Sequence, residues 1–129
     1  MSSLPNRGVD AYRKTAVESA TPIERVVMLY DGALRFAAEA RAATERRDIT
    51  SRSTATSRLL AIVGELRATL DMERGGPVAE SLDRLYSFVT GRIMDAAFAQ
   101  SVAPLDEAIG VLSNLREGWV RINAKGSGQ

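Results

Sequence analysis

The sequence TPIERVVMLYDGA, from Thr21 to Ala33, decides how the rest of the chain is interpreted. Thr21 can accept a hydrogen bond from the free amides of a starting helix, Pro22 suits the first helical turn, and Glu24 completes a capping box. The apolar residues from Ile23 to Ala38 cover an arc of roughly 200° on an ideal helical wheel, about twice what an edge helix needs. Other helices or a binding partner must cover this surplus.

Composition limits the chemistry available to the chain. Its 129 residues are enough for one domain with a real core, and 45% hydrophobic with 26% charged residues is typical of a soluble globular protein. Cysteine and histidine do not occur, which excludes disulfides, thiolate chemistry, zinc sites and histidine catalysis within the chain.

Charge and hydropathy limit which partners and which cellular compartment we expect for this chain. The formal net charge is +1 and no basic block stands out, so we expect no nucleic-acid partner. The first residues lack the apolar core of a signal peptide, and no apolar run approaches the roughly 18 residues of a membrane span. We therefore expect a cytoplasmic protein that does not insert into a membrane.

Hydrophobic periodicity predicts four helices and no strands. We expect helices over about Pro22–Arg46 and Ser51–Met72, a third from Pro77 to about Ala99, and a fourth from about Ala103. Gly75 is expected to take the left-handed cap conformation before Pro77. Connections of about 3–5 residues favour antiparallel neighbours. The pattern predicts an all-α, antiparallel four-helix bundle.

The predicted organisation has three parts. Residues 1–20 form a flexible N-terminal arm that could contain a short turn or helix, residues 21–122 form the bundle, and residues 123–129 form a disordered tail. Tyr12 is the large ring of the arm, and its simplest function is to anchor the arm on the bundle.

Five glycines fall inside the predicted helices, where each costs about 1 kcal/mol relative to alanine. One interpretation is that they allow close approach of neighbouring helices. The other is that they leave shallow grooves, or local pliancy, for a bound segment. These glycines are Gly32, Gly64, Gly91, Gly110 and Gly118.

A search for catalytic groups finds none. A di-metal site in a bundle needs Glu-x-x-His pairs, and no nucleophile–base pair or phosphate loop occurs. We expect no cofactor, no bound metal and no enzymatic activity.

Asp31 is interpreted either as an exposed partner of Arg35 one turn later or as a polar anchor at a groove edge. Tyr30 and Tyr86 are expected as core rings with their hydroxyls at the bundle surface.

Several motifs in order along the chain resemble the FliS family of flagellar export chaperones. The resemblance spans about residues 11–120 and departs from the family at Pro77, Ser81 and Gly118. The matching residues are Ala11-Tyr12, Val17, Ala20-Thr21-Pro22, Met28 to Ala33, Thr69 to Gly76, Leu82, Leu85-Tyr86, Arg92, Leu115-Arg116 and Trp119.

This resemblance implies a bundle that binds the C-terminal segment of flagellin, prevents premature polymerisation and assists its secretion. The resemblance also implies that the N-terminal arm covers a groove until flagellin displaces it. A component of the export gate is a further expected partner. An apolar segment docking on a bundle follows the helix-in-groove mode. The predicted partner-binding residues are Tyr12, Val17, Val27, Leu29, Tyr30, Asp31, Leu34, Leu82, Tyr86 and Val89.

Two alternatives stay open from the residues alone. The surplus apolar face could form a homodimer seam in a self-associating bundle without a flagellin client, so both monomer and dimer are compatible with the pattern. A small bundle enzyme would require a buried polar pocket, which the pattern does not contain.

Overall fold

In the computed structural model, which describes residues 11, 14–15 and 18–127, four α-helices pack into a bundle. Helix α1 spans Pro22–Glu45, α2 Ile49–Ala68, α3 Met72–Ala99 and α4 Ala103–Ser127. No helix within the described ranges is long and apolar enough to cross a membrane. Helix α4 continues beyond residue 122, whereas the division into arm, bundle and tail stays a prediction.

The start of α1 confirms the predicted capping box. The Thr21 hydroxyl accepts from the Glu24 amide at 3.1 Å, and the Glu24 carboxylate accepts from the Thr21 amide at 2.9 Å. Two amides that the helix leaves unpaired are therefore satisfied by the side chains of residues three positions apart, at the N-cap and in the first turn.

Ion pairs between helices show that the neighbours run antiparallel. Arg41 near the end of α1 binds Asp106 near the start of α4 through two hydrogen bonds, of 2.7 and 3.1 Å. Asp31 near the start of α1 pairs with Arg116 in the second half of α4. Helix α1 lies against α2 and α4, and α3 closes the bundle against the same two helices.

The junction between α2 and α3 differs from the prediction. Helix α2 ends at Ala68 rather than Met72, and the Thr69 hydroxyl donates to the Leu66 carbonyl at 2.6 Å. The Asp71 carboxylate then accepts from two amides of the next turn and starts α3. The residue with positive φ is Gly76 (φ 51°), so the assignment of the left-handed conformation to Gly75 was wrong.

Gly75 is required for a different reason. A Cβ added at Gly75 would lie 2.6 Å from the Cβ of Ala79, which no real contact tolerates. The turn Met72–Gly75 therefore packs closely on the following helix, and Gly76 makes the kink that joins the two. This folded-back turn forms one wall of the groove described below.

Part of the apolar surplus of α1 is covered by other helices. Ala33, Ala37, Ala40 and Ala43 are each at most 1% exposed, which small side chains allow because the neighbouring helix can come close. The glycines do not share one explanation. A Cβ at Gly32 would lie 3.1 Å from Ile62, consistent with close approach.

The other four glycines within the predicted helices do not mark close helix contacts. A Cβ added to any of them would meet no heavy atom within 4 Å, so the close-approach interpretation was wrong for these positions. They are Gly64, Gly91, Gly110 and Gly118.

Candidate partner-binding groove

A groove of about 510 Å³ opens at the end of the bundle where α1 begins and α2 passes into α3. We call it the end groove. Its volume falls within the range of about 300–1,000 Å³ that is usual for ligand sites. Its lining includes the apolar side chains of Ile23, Val26, Leu29, Leu70, Val78, Leu82 and Trp119.

Helical spacing explains how these side chains come together. On α1, Ile23, Val26 and Leu29 recur every three residues and face one side near the helix start. On α3, Val78 and Leu82 lie one turn apart, just after the kink. All of the α1 residues named here are only half-buried, so part of the apolar surplus predicted for this helix lies open in the groove.

The floor of the end groove contains a buried pair of phenols. Tyr30 is 0% and Tyr86 1% exposed, and their hydroxyl oxygens lie 2.5 Å apart. The expectation that both hydroxyls reach the bundle surface was wrong, because each phenol is the hydrogen-bond partner that makes burial of the other acceptable. Tyr86 lines the groove, whereas Tyr30 lies beneath it.

Burial sets the ionisation of both phenols. Loss of hydration raises the pKa of Tyr86 far above its ordinary value, and the bond to Tyr30 raises it further. Burial also raises the pKa of Tyr30, while hydrogen bonds from Tyr86 and the Trp119 indole partly oppose that rise. Both groups are therefore neutral throughout the physiological range, and the floor of the groove carries no charge.

Charged groups at the rim of the end groove already have partners. The Asp71 carboxylate accepts from the Glu73 and Arg74 amides at 3.2 and 3.1 Å. The Arg25 guanidinium reaches the Glu18 carbonyl at 3.5 Å. An occupant of the groove therefore meets an apolar surface with a polar edge, the usual composition of a site for an amphipathic segment.

A second, smaller cleft lies on the side of α1. It has a volume of about 400 Å³ and is lined by Val27, Met28 and Asp31 together with Glu24 and Asn123. We call it the side cleft. Asp31 pairs with Arg116 of α4, whereas Arg35 approaches Glu39 at 3.9 Å. The expected pair of Asp31 with Arg35 was therefore wrong, because Asp31 pairs with Arg116 of a neighbouring helix and Arg35 lies nearest to Glu39.

The structure distributes the predicted partner-binding residues over several environments. Leu29, Leu82 and Tyr86 line the end groove, and Val27 and Asp31 line the side cleft. Tyr30 and Val89 are fully buried, and Leu34 packs against the core without lining either opening. Tyr12 and Val17 lie outside the described residues. Their partner contacts stay predictions.

Several residues of the end groove were not predicted from the sequence. Leu70, Val78 and Trp119 were not among the predicted partner-binding residues, but all three line the opening. Two signals could have located Val78: its position directly after Gly76-Pro77, and the ability of Asp71 to cap a new turn. Trp119 had no comparable signal, since an apolar ring on a helix face is usually a core residue.

The end groove presents apolar side chains with a polar edge, an arrangement that suits binding. Within the described part of the chain, no group of three or more acidic, cysteine or histidine side chains could hold a metal ion. The fold and the end groove define a class of protein: a small helical bundle with an open apolar groove of the kind that receives a segment of another chain.

Comparison with known proteins identifies the family. Residues 5–126 match the family described as flagellar protein FliS. The chain is 35% identical over 127 residues to the flagellar secretion chaperone FliS of Salmonella typhimurium, covering 95% of this chain and 94% of that protein. It is 32% identical over 117 residues to the flagellar secretion chaperone FliSB of Pseudomonas aeruginosa, covering 88% and 93%. The chain belongs to the FliS family.

Proposed function

We propose that this chain is a flagellar secretion chaperone that binds the C-terminal segment of flagellin in the cytoplasm and holds part of it in the end groove. Membership of the FliS family supports the chaperone function. The observation that supports the location is the half-buried apolar strip of Ile23, Val26 and Leu29 in that groove. The proposed action is binding without catalysis.

The chemistry of the groove favours an apolar segment that orders on binding. An amphipathic helix would place side chains at positions i, i+3 or i+4, and i+7 into such a groove. Because the segment would lose conformational entropy as it orders, part of the contact free energy would be offset, and the complex could still be released for export. A bound segment would also be unavailable for polymerisation.

The arm supplies a second element of the proposal. Tyr12 and Val17 would act as an internal lid that competes with flagellin, since the arm immediately precedes the start of α1 beside the groove. Deletion of residues 1–17 should then tighten binding of a flagellin C-terminal peptide. Weaker binding after the deletion would show that the arm contributes contacts to the complex instead.

A matched pair of substitutions tests the groove. Val78 is 68% exposed and lines the groove, while Ile49 is 59% exposed at the opposite end of the bundle and does not. Val78→Arg should weaken binding of the flagellin peptide at least about tenfold, because it places a charge on the apolar wall. Ile49→Arg should leave the affinity unchanged, and both variants should keep the wild-type melting temperature.

Fluorescence anisotropy of a labelled peptide measures both affinities. Equal affinity of Val78→Arg and wild type would exclude the end groove as the binding site. Failure of the wild-type chain to bind the peptide at all would favour the alternative of a self-associating bundle without a flagellin client.

A further inference from the structure

The end of the bundle opposite the end groove contains two turns, one joining α1 to α2 and one joining α3 to α4. The ion pair between Arg41 and Asp106 holds both turns at the same end. Each turn includes a residue other than glycine with positive φ, namely Arg47 (φ 59°) and Gln100 (φ 54°). Since glycine adopts this conformation more easily than any other residue, folding alone favours glycine at both positions.

The Arg47 side chain makes none of the bonds that close its turn. The Arg47 amide donates to the Thr44 carbonyl at 3.2 Å and the Asp48 amide to the Ala43 carbonyl at 2.9 Å, and a glycine at position 47 would keep both bonds. The guanidinium is exposed and has no hydrogen bond or ion pair with another described residue. Strained residues that the fold itself does not need are concentrated at functional sites.

Arg47 belongs to a cluster of cations around one exposed apolar residue. Arg46 is exposed and only approaches Asp48, at 3.5 Å. Arg52, in the first turn of α2, is half-buried, and its side chain makes no hydrogen bond or ion pair within the described ranges. Ile49, which is 59% exposed, lies between them in the chain. We call Arg46, Arg47, Ile49 and Arg52 the distal patch.

The carboxylates near the distal patch already have partners. Asp48 accepts from the Ser51 amide and hydroxyl at 3.1 and 2.7 Å. Glu45 and Asp106 both bind Arg41, at 2.9 and 2.7 Å. The described residues therefore leave most of the positive charge of the patch without a counter-charge, whereas the arginines that bridge other pairs of helices each bind a carboxylate.

We propose that the distal patch docks an acidic segment of another protein, with carboxylates on Arg47 and Arg52 and an apolar side chain on Ile49. This inference goes beyond the proposed chaperone function, because the patch and the end groove lie at opposite ends of the bundle and can be occupied together. Guanidinium groups bind carboxylates through two parallel hydrogen bonds, and arginine is enriched at protein interfaces. The exposed Ile49 favours a protein segment over a nucleic acid, since the patch has no aromatic ring to stack on a base.

A short acidic probe should bind the distal patch weakly. Exposed ion pairs contribute little individually, so we expect a Kd on the order of 1 mM at low ionic strength. Salt screens such pairs, so raising NaCl to about 0.5 M should weaken binding several-fold. The probe is the capped peptide Glu-Glu-Leu-Glu-Glu, and an NMR titration of the ¹⁵N-labelled full chain follows its binding. The amides of residues 46–52 should shift, while those of residues 23–29 in the end groove should not.

One substitution separates recognition from folding. Arg47→Gly removes the guanidinium and relieves the positive φ, so it should raise the melting temperature while weakening probe binding about fivefold. Arg52→Gln should weaken binding to a similar extent. Arg121→Ala is the matched control, because Arg121 is also exposed without a partner among the described residues but lies near the other end of the bundle. This control should leave the Kd of the probe unchanged.

The proposal would be overturned by equal probe affinity of wild type and Arg47→Gly, or by the absence of any shift in residues 46–52 with up to about 10 mM probe. Equal shifts with the peptide Lys-Lys-Leu-Lys-Lys would also overturn it, because they would show that charge is not recognised. Binding to phosphatidylglycerol vesicles but not to the probe would assign the patch to a membrane surface instead. Arg47→Gly should bind the flagellin peptide as wild type does, which separates this test from that of the end groove.

Discussion

Removal of the hydroxyl groups beneath the end groove should show that Tyr30 and Tyr86 act as a coupled pair. Both side chains are at most 1% exposed, and their oxygens lie 2.5 Å apart. Tyr30→Phe leaves the Tyr86 hydroxyl buried without its partner, which should cost about 1–3 kcal/mol of unfolding free energy. Tyr86→Phe should cost about 1 kcal/mol, because the indole of Trp119 still bonds Tyr30.

The double variant should cost less than the sum of the two single variants. Once the Tyr30 hydroxyl has been removed, removal of the Tyr86 hydroxyl takes away a polar group that is buried without a partner, which can be nearly neutral or favourable. We expect a coupling free energy of about 1–2 kcal/mol between the two substitutions, well beyond the 0.3–0.5 kcal/mol scatter of independent sites.

Urea unfolding of the four proteins measures this coupling. Far-UV circular dichroism follows the helices, and Trp119, as the chain's one tryptophan, reports on the groove by fluorescence. The four proteins should share one m-value, so that midpoint differences convert to free energies. Strict additivity of the two single substitutions would refute a hydrogen-bonded pair, and a less stable double variant than the sum predicts would reverse the argument.

Three further predictions concern the helices and their ionisation. Gly64→Ala should raise the unfolding free energy by about 1 kcal/mol. Gly32→Ala should raise it less or lower it, because the added Cβ would lie 3.1 Å from Ile62. Urea titrations measure the unfolding free energies of both variants. Burial raises the pKa of Tyr86 above its unfolded value near about 10, so the stability of the fold should fall as the pH rises above about 10. The Tyr30→Phe/Tyr86→Phe double variant should lose part of this pH dependence in thermal melts at alkaline pH. The Arg41 guanidinium lowers the pKa of Asp106. The stability that this ion pair contributes is therefore present above the unfolded pKa of Asp106, near about 3.9, and is lost as the pH falls below that value. Asp106→Asn should flatten this acid dependence of stability in thermal melts, and an unchanged slope would show that the pair is not coupled to folding.

Local rules were sufficient for the start of α1. Thr21 and Glu24 lie three residues apart, so the capping box could be predicted from the sequence and is present in the structure. The junction after α2 was harder, because Gly75, Gly76 and Pro77 all interrupt helices and several arrangements satisfy them. The structure selects the one in which Asp71 caps an extra turn and Gly76 bends the chain.

The candidate site was predicted only in part. The surplus of apolar residues on α1 indicated that something must cover this helix, and Leu29 and Leu82 do line the end groove. The same surplus also included residues that other helices bury completely, such as Ala33 and Ala37. A helical wheel shows which residues share a face, but it does not show where a neighbouring helix ends and leaves that face open.

The sequence by itself determined the four helices, the beginning of α1, the absence of cysteine and histidine chemistry, and the resemblance to the FliS family. These features depend on composition or on residues a few positions apart. Only the tertiary structure decided that Tyr30 bonds Tyr86, 56 residues away, and that Asp31 pairs with Arg116, 85 residues away. The physical reason is that helix periodicity is a local property, whereas the partner of a side chain depends on how separate helices pack.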